Sequence, residues 1–289
     1  MPASILGAPA RLSARDRARR AARGGGSPRS VPGPLLVPAV IAVAFLVLPL
    51  VGLIIRAPWG RLASALSGAD AVQALVLSLW TATVSTGVCV VIGVPLAWVL
   101  ARTIFPGQRL LRALVTLPLV LPPVVGGVAL LLAFGRAGFF GRYLDSWFGL
   151  TIPFTPLAVV MAQTFVAMPF LVITVEGALR SANQGFEEAA ATLGARRMTV
   201  FRRVTLPLIA PSLGAGAVLC WARALGEFGA TITFAGAFPG QTETKPIAVY
   251  YALDSDPDAA IALSLVLLVV SVLVLVSLRD RWLRGGAVQ

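Results

Sequence analysis

The sequence predicts an all-α membrane protein with six transmembrane helices and both termini on the cytoplasmic side. Three observations carry this. Hydrophobic residues make up 57% of the 289-residue chain and charged residues 12%, with a mean hydropathy of +0.87; soluble domains carry about 25% charged residues. Six apolar stretches have about the 20 residues that a helix needs to cross the hydrocarbon core. Lys and Arg favour alternate loops, which orients the spans.

The first stretch, 35–55, follows a segment, 1–33, in which Arg11, Arg15, Arg17, Arg19, Arg20, Arg23 and Arg29 stand among Ala, Gly, Ser and Pro. Such a composition reads as a basic, disordered cytoplasmic tail. The Arg19-Arg20 pair precedes Ala-Ala-Arg-Gly-Gly-Gly, not the apolar run of an export signal, so the first span is read as retained. The second stretch, 72–101, carries Pro95, and the third, 111–134, carries Pro118, Pro122, Pro123, Gly126 and Gly127. Proline removes a backbone donor and kinks a helix, and in lipid the freed carbonyls need a partner or a cavity. No straight helix is expected in the third span. The fourth, 153–178, carries Pro169 and holds Glu176 near its inner end, where solvation is expected. The fifth, 206–233, opens at Leu206-Pro207 and is interrupted by Arg223 and Glu227. Four residues apart, these two would share one helix face and pair. Ionisable groups at membrane depth face a bundle interior or a cavity, so the pair reads as a packing device, as part of a pathway or gate with Gly226 and Gly229 beside it, or as a pair at the membrane interface and not at depth. The sixth, 259–278, holds no charge.

With the N-terminus inside, 18 of the 24 Lys and Arg fall on the cytoplasmic side, in the tail, at 102–112, at 180–203 and after 278. The outer loops hold five, Arg56, Arg61, Arg136, Arg142 and Lys245, and Arg223 lies within a span. Glu243, Asp254, Asp256 and Asp258 make the last outer loop acidic, either as a solvated loop or as a contact for an extracytoplasmic partner.

Several function classes fall away. Arg residues punctuate apolar spans instead of forming one face, so no nucleic-acid partner is expected. Histidine is absent, which removes the commonest general base and metal ligand. Cys89 and Cys220 lie in apolar surroundings and suggest neither a disulfide framework nor a metal site. No G-x-x-x-x-G-K-[ST] phosphate loop and no G-x-S-x-G elbow occurs. No catalytic residue, metal or cofactor is therefore assigned, and any ATP-derived energy must come from another polypeptide.

The most informative segment is 185–205, polar and Arg-rich between two apolar spans, which the charge count places in the cytoplasm. It reads as a short helix, a turn and a second helix. Glu187 and Glu188 fall in the first turn, where negative charge suits the helix dipole. Gly194 can end that helix in a left-handed cap. Met198, Val200 and Phe201 leave an apolar patch among Arg196, Arg197, Arg202 and Arg203, and Pro207 opens the next span. A helix resting on anionic headgroups would also look like this. The spacing Glu188-Ala189-Ala190, three residues, Gly194, nine residues, Val204, Thr205, Leu206-Pro207 resembles the EAA loop of bacterial ABC-importer permeases, with valine where isoleucine is common.

The resemblance extends to ARTIFPGQRLLRAL (101–114), LPLVLPPVVGGVALLLAFGRAGFFG (117–141), ALGEFGATITFAG (224–236) and PGQTETKPIAVYYAL (239–253), which look like the molybdate branch of the molybdate/sulfate importer permeases. Ala237 stands where asparagine is expected, and Lys245-Pro246 where leucine-proline is more usual. The resemblance implies a type I ABC importer permease fold over 34–284 in a bacterial plasma membrane, without catalysis of its own. It implies two copies of an ABC ATPase subunit, a second permease copy forming a homodimer, and an extracytoplasmic anion-binding protein that sets specificity. Docking of the ATPase is expected at Glu187, Glu188, Ala189, Ala190, Gly194 and Pro207. The expected substrate is molybdate, with tungstate as its analogue. Sulfate or thiosulfate is the alternative anion, and an ion-gradient-driven secondary transporter is the alternative class.

Overall fold

In the computed structural model, residues 33–285 are described, apart from the side chains at 33, 64–66, 275 and 277–285. The predicted basic tail lies outside the described residues, except Gly33. The chain divides into two units. The first holds α1 (Gly33–Ile55), an apolar helix whose side chains are exposed.

The second unit begins at Arg56, and helices are its regular secondary structure among the described residues. A short α2 (Leu62–Ser67) leads into α3 (Ala69–Arg102), which is 34 residues long and contains Pro95. The third predicted span is broken. α4 (Gln108–Val120) and α5 (Pro123–Phe134) meet at a bend of 119° across Leu121-Pro122. Pro122 and Pro123 supply no N–H and force the residue before them out of the helical region. α4 lies beside the C-terminal end of α7 (Pro156–Ser181), where Arg112 meets Glu176; α5 lies beside its N-terminal half, where Gly126 faces Phe165. The broken pair therefore runs from one end of α7 to the other, as one span would.

An amphipathic α6 (Gly141–Phe148) precedes α7, with Tyr143, Trp147 and Phe148 exposed; aromatic residues gather at membrane–water interfaces in this way. After α7 come α8 (Gly185–Thr192) and α9 (Arg197–Val200), then a wide turn at Phe201–Thr205 that leads into α10 (Leu206–Leu225). The fifth predicted span is corrected at both ends. The apolar helix is continuous from Arg197 to Leu225, so Pro207 lies inside it and does not open it. The helix stops at Gly226, and a separate α11 (Gly229–Ala235) follows. α12 (Lys245–Ser255) and α13 (Pro257–Gly285) complete the chain. Among the described residues five helices are long and apolar enough to cross a membrane, and six spans result when the bent pair counts as one.

α7 is the central helix. Its buried Ala167, Leu171, Val172, Val175 and Leu179 pack with Ala82, Cys89, Ala97 and Leu100 of α3 and Ile209, Cys220 and Leu225 of α10. The small residues let the backbones approach, which drives helix association where water does not. Both cysteines are free and buried in this cluster. A second cluster joins Leu130 of α5, Val159, Ala162 and Val166 of α7 and Phe234 of α11.

Candidate functional site

The segment after α7 folds as two arms around a turn. Gln184 C=O accepts the N–H groups of Glu187 and Glu188 at 2.9 and 3.0 Å and starts α8. At its other end, Ala195 N–H donates to Ala190 C=O at 3.1 Å and Gly194 N–H to Ala191 C=O at 2.9 Å, with Gly194 at φ +82°. This is a Schellman cap, and its left-handed residue is the position that favours glycine. Nothing lies within 4 Å of a Cβ built on Gly194, so the demand is conformational, not steric.

The second arm widens before Pro207. Pro207 has no N–H, and its ring would crowd the carbonyl four residues back, at Arg203. The chain answers with a turn in which Leu206 N–H reaches Phe201 C=O, five residues away. Such wide turns cluster at functional sites.

The structure separates the predicted docking residues into two groups. Glu188, Ala189 and Gly194 are exposed, Ala190 is half-buried, and Pro207 is exposed on the side of the second arm. Around them Phe186, Met198 and Leu193 are also exposed, Leu193 to 89%. Phe186 and Leu193 escaped the sequence reading; their signal was an apolar residue on each side of the Glu-Ala-Ala triplet.

Glu187 is the exception. Its Oε1 accepts Arg102 Nη2 at 3.0 Å and Thr205 Oγ1 at 3.0 Å. It joins α8 to the wide turn and both to the end of α3, so it faces the protein and not an outside partner. Glu176 is also corrected. It is buried, and its Oε1 takes Arg112 Nη2 at 2.8 Å and Arg180 Nη2 at 2.9 Å. The Leu100 carbonyl accepts Gln108 Nε2 at 2.8 Å, Arg112 Nη2 at 3.3 Å and Arg180 Nη2 at 3.4 Å. A buried carboxylate needs such partners, whereas sequence position alone suggested water.

At the second candidate site two broken helices meet. Gly127 of α5 faces Ala230 and Thr233, and Gly229 of α11 faces Pro123 and Val124. Glu227 lies in the break after α10, 1% exposed. Its Oε2 is 2.6 Å from Arg223 Nη1, and its Oε1 accepts Ala230 N–H at 2.9 Å, capping α11. The expected pair therefore forms across a helix end and not along one helix face. Gly226 is exposed and Arg223 half-buried beside it.

At the other end of α3, Lys245 is buried, although the sequence suggested an outer-loop charge. Its Nζ donates to Ala71 C=O at 3.0 Å and its N–H to Ser78 Oγ at 2.7 Å. Burial lowers its pKa. Burial first, and then the charge of Asp70, raise the pKa of Glu243. Of the acidic trio, Asp256 Oδ1 caps the start of α13, accepting Asp258 N–H and Ala259 N–H at 3.1 Å each, and Asp258 lies 3.8 Å from Arg61.

Residues 93–285 match the family model described as "Binding-protein-dependent transport system inner membrane component". The chain is 51% identical over 254 residues to the molybdenum transport system permease protein ModB of Mycobacterium tuberculosis, covering 88% of this chain and 96% of that one. It is 37% identical over 245 residues to the sulfate transport system permease protein CysT of Salmonella typhimurium, covering 83% and 88%. Among solved structures, a bacterial ABC transporter involved in alginate import superposes with a TM-score of 0.72 at 19% identity, over 88% of this chain and 95% of that one.

Proposed function

The chain belongs to the family of binding-protein-dependent transport system inner membrane components, and from that premise we propose that it is the permease of an ATP-driven importer of molybdate. It is a multi-pass inner-membrane protein with the fold of ABC transporter permeases. The ATPase engages Glu188, Ala189, Ala190, Gly194 and the second arm up to Pro207, with both termini on the same cytoplasmic side. Two permease copies form the path, two ATPase subunits dock on their coupling segments, and an extracytoplasmic binding protein delivers the anion. The docking reading rests on one observation, the capped helix-turn that presents Glu188 and an 89% exposed Leu193. The choice of molybdate, with tungstate as its analogue, rests on the 51% identity to the mycobacterial molybdenum permease.

The transport step then divides between sites. ATPase closure draws the coupling segments together, and α10 carries that movement to the break at Gly226, Glu227 and Gly229, beside Arg223. Those four residues are the proposed pathway or gate elements, because helix breaks in membranes occur where the backbone is buried in protein or lines a cavity.

Reconstitution with ATPase and binding protein in vesicles tests this. ATP-dependent molybdate uptake, stimulated by loaded binding protein, is expected, with sulfate a poor competitor. Equal inhibition by sulfate at equal concentration supports the second reading, a sulfate permease, which the 37% identity to CysT favours. Uptake without an ATPase would indicate a secondary transporter.

A further inference from the structure

We propose that Arg102, Glu187 and Thr205 form a clasp that transmits movement of the coupling segment to the transmembrane core, with Arg102 as the positioning residue. The inference rests on the reading that the ATPase docks at Glu188 to Gly194. Docking alone moves α8; transport needs that movement to reach the spans. α8 has eight residues and no buried side chain, so packing alone holds it weakly. Glu187 fixes it through charge-assisted hydrogen bonds, which are about twice as strong as neutral ones.

The clasp reaches both elements that must move together. Thr205 is buried in the wide turn at the base of α10. Arg102 ends α3, and its side chain is 7% exposed. Two residues earlier, the Leu100 carbonyl is held by Gln108 and Arg112 of α4 and Arg180 of α7. A pull on α8 is therefore delivered to α10 through Thr205 and to α3, α4 and α7 through Arg102.

The guanidinium is also under-used. Its Nε and Nη1 are buried and have no hydrogen-bond partner among the described residues. Buried unsatisfied donors are uncommon and call for a reason. Here Arg102 meets one carboxylate oxygen through one nitrogen, whereas arginine and carboxylate commonly pair through two parallel bonds. The spare donors let the pair exchange its single bond for a double one as α8 rotates, so the connection survives the stroke.

The test uses the assembled permease, ATPase and loaded binding protein in vesicles, and reads anion transported per ATP hydrolysed. Arg102→Ala and Glu187→Ala are expected to keep co-purified ATPase while the ratio falls at least tenfold. The double variant should be no worse than either single one, and the exchange Arg102→Glu with Glu187→Arg should recover part of the ratio. Thr205→Val and Glu187→Gln should lower it two- to fivefold, and they carry the test if the alanine variants fail to fold. An unchanged ratio in these two, or loss of the ATPase together with the ratio, overturns the proposal. Gly194→Asp separates the two ideas. If it retains the ATPase, the docking reading fails, whatever Arg102 does to coupling.

Discussion

One added methyl group at Gly127 is predicted to force α5 and α11 apart. A Cβ there would lie 2.7 Å from Thr233 Cβ, 2.8 Å from Ala230 O and 3.0 Å from Ala230 Cα. Non-bonded carbons rest about 3.5 Å apart or more, so Gly127→Ala has to open the contact by roughly 0.8 Å. Two of the three atoms are backbone, so no side-chain rotation relieves the clash. Overpacking of this kind destabilises by about 1–3 kcal/mol, which lowers Tm by roughly 2–5 °C in a chain of this size. The strain falls beside Glu227 and its cap on Ala230, so uptake should drop as well. The assay is thermal unfolding of the purified permease in detergent, with uptake in vesicles, alongside Gly87→Ala. Gly87 is exposed within α3 and has nothing within 4 Å of its Cβ. Alanine there should leave Tm unchanged or raise it slightly, since alanine is favoured over glycine in helices by about 0.5–1 kcal/mol. If Gly127→Ala melts and transports like the wild type, the close packing of the two broken helices is wrong.

Three further outcomes are expected. Gly194→Ala puts a side chain into a left-handed cap at a local cost of about 1 kcal/mol and should weaken ATPase co-purification several-fold, while Gly194→Asn, which tolerates that conformation, should do less harm. Leu193→Asp should reduce ATPase retention at least tenfold with little change in Tm, because the side chain is 89% exposed before any partner binds; a lost fold instead of a lost partner would refute the docking role. Lys245→Met should stabilise the chain at neutral pH by about 1 kcal/mol, since a buried ammonium costs more to desolvate than an apolar side chain of similar length. Burial holds the Lys245 pKa below its unfolded value, so the unfolded chain binds the extra proton between the two values. Wild-type stability therefore rises as pH climbs through the lowered value toward about 10.4, and the variant loses that rise. Melting curves at pH 7 and pH 9.5 decide the matter, and a variant less stable than the wild type at pH 7 refutes it.

The long uniform signals were legible in the sequence. The apolar runs at 72–101, 153–178 and 259–278 each became one helix. The proline run at 118–123 announced a break, but its 119° bend depends on how α4 and α5 meet α7, which a single sequence does not encode locally. The coupling segment was legible down to the left-handed glycine, since a Schellman cap is a local device. What escaped were the partners of charges. Glu176 and Glu187 sit 64 and 85 residues from their partners Arg112 and Arg102, and no periodicity links residues so far apart. Lys245 was missed for the same reason, as its partners lie at the start of α3, 174 and 167 residues earlier.

The wide turn before Pro207 sets the azimuth of α9. An α-helix advances about 100° per residue, so one surplus residue rotates everything upstream by about that angle relative to a regular helix. Phe201 to Thr205 contains that surplus. Removing one residue there would mend the hydrogen-bond ladder yet swing Met198 and the Arg196-Arg197 pair about a quarter-turn around the axis of α10. Thr205 would leave Glu187 in the same movement. For this chain the irregular helix is the one that keeps Thr205 on Glu187, and a smoother helix would turn Met198 and the two arginines to another face.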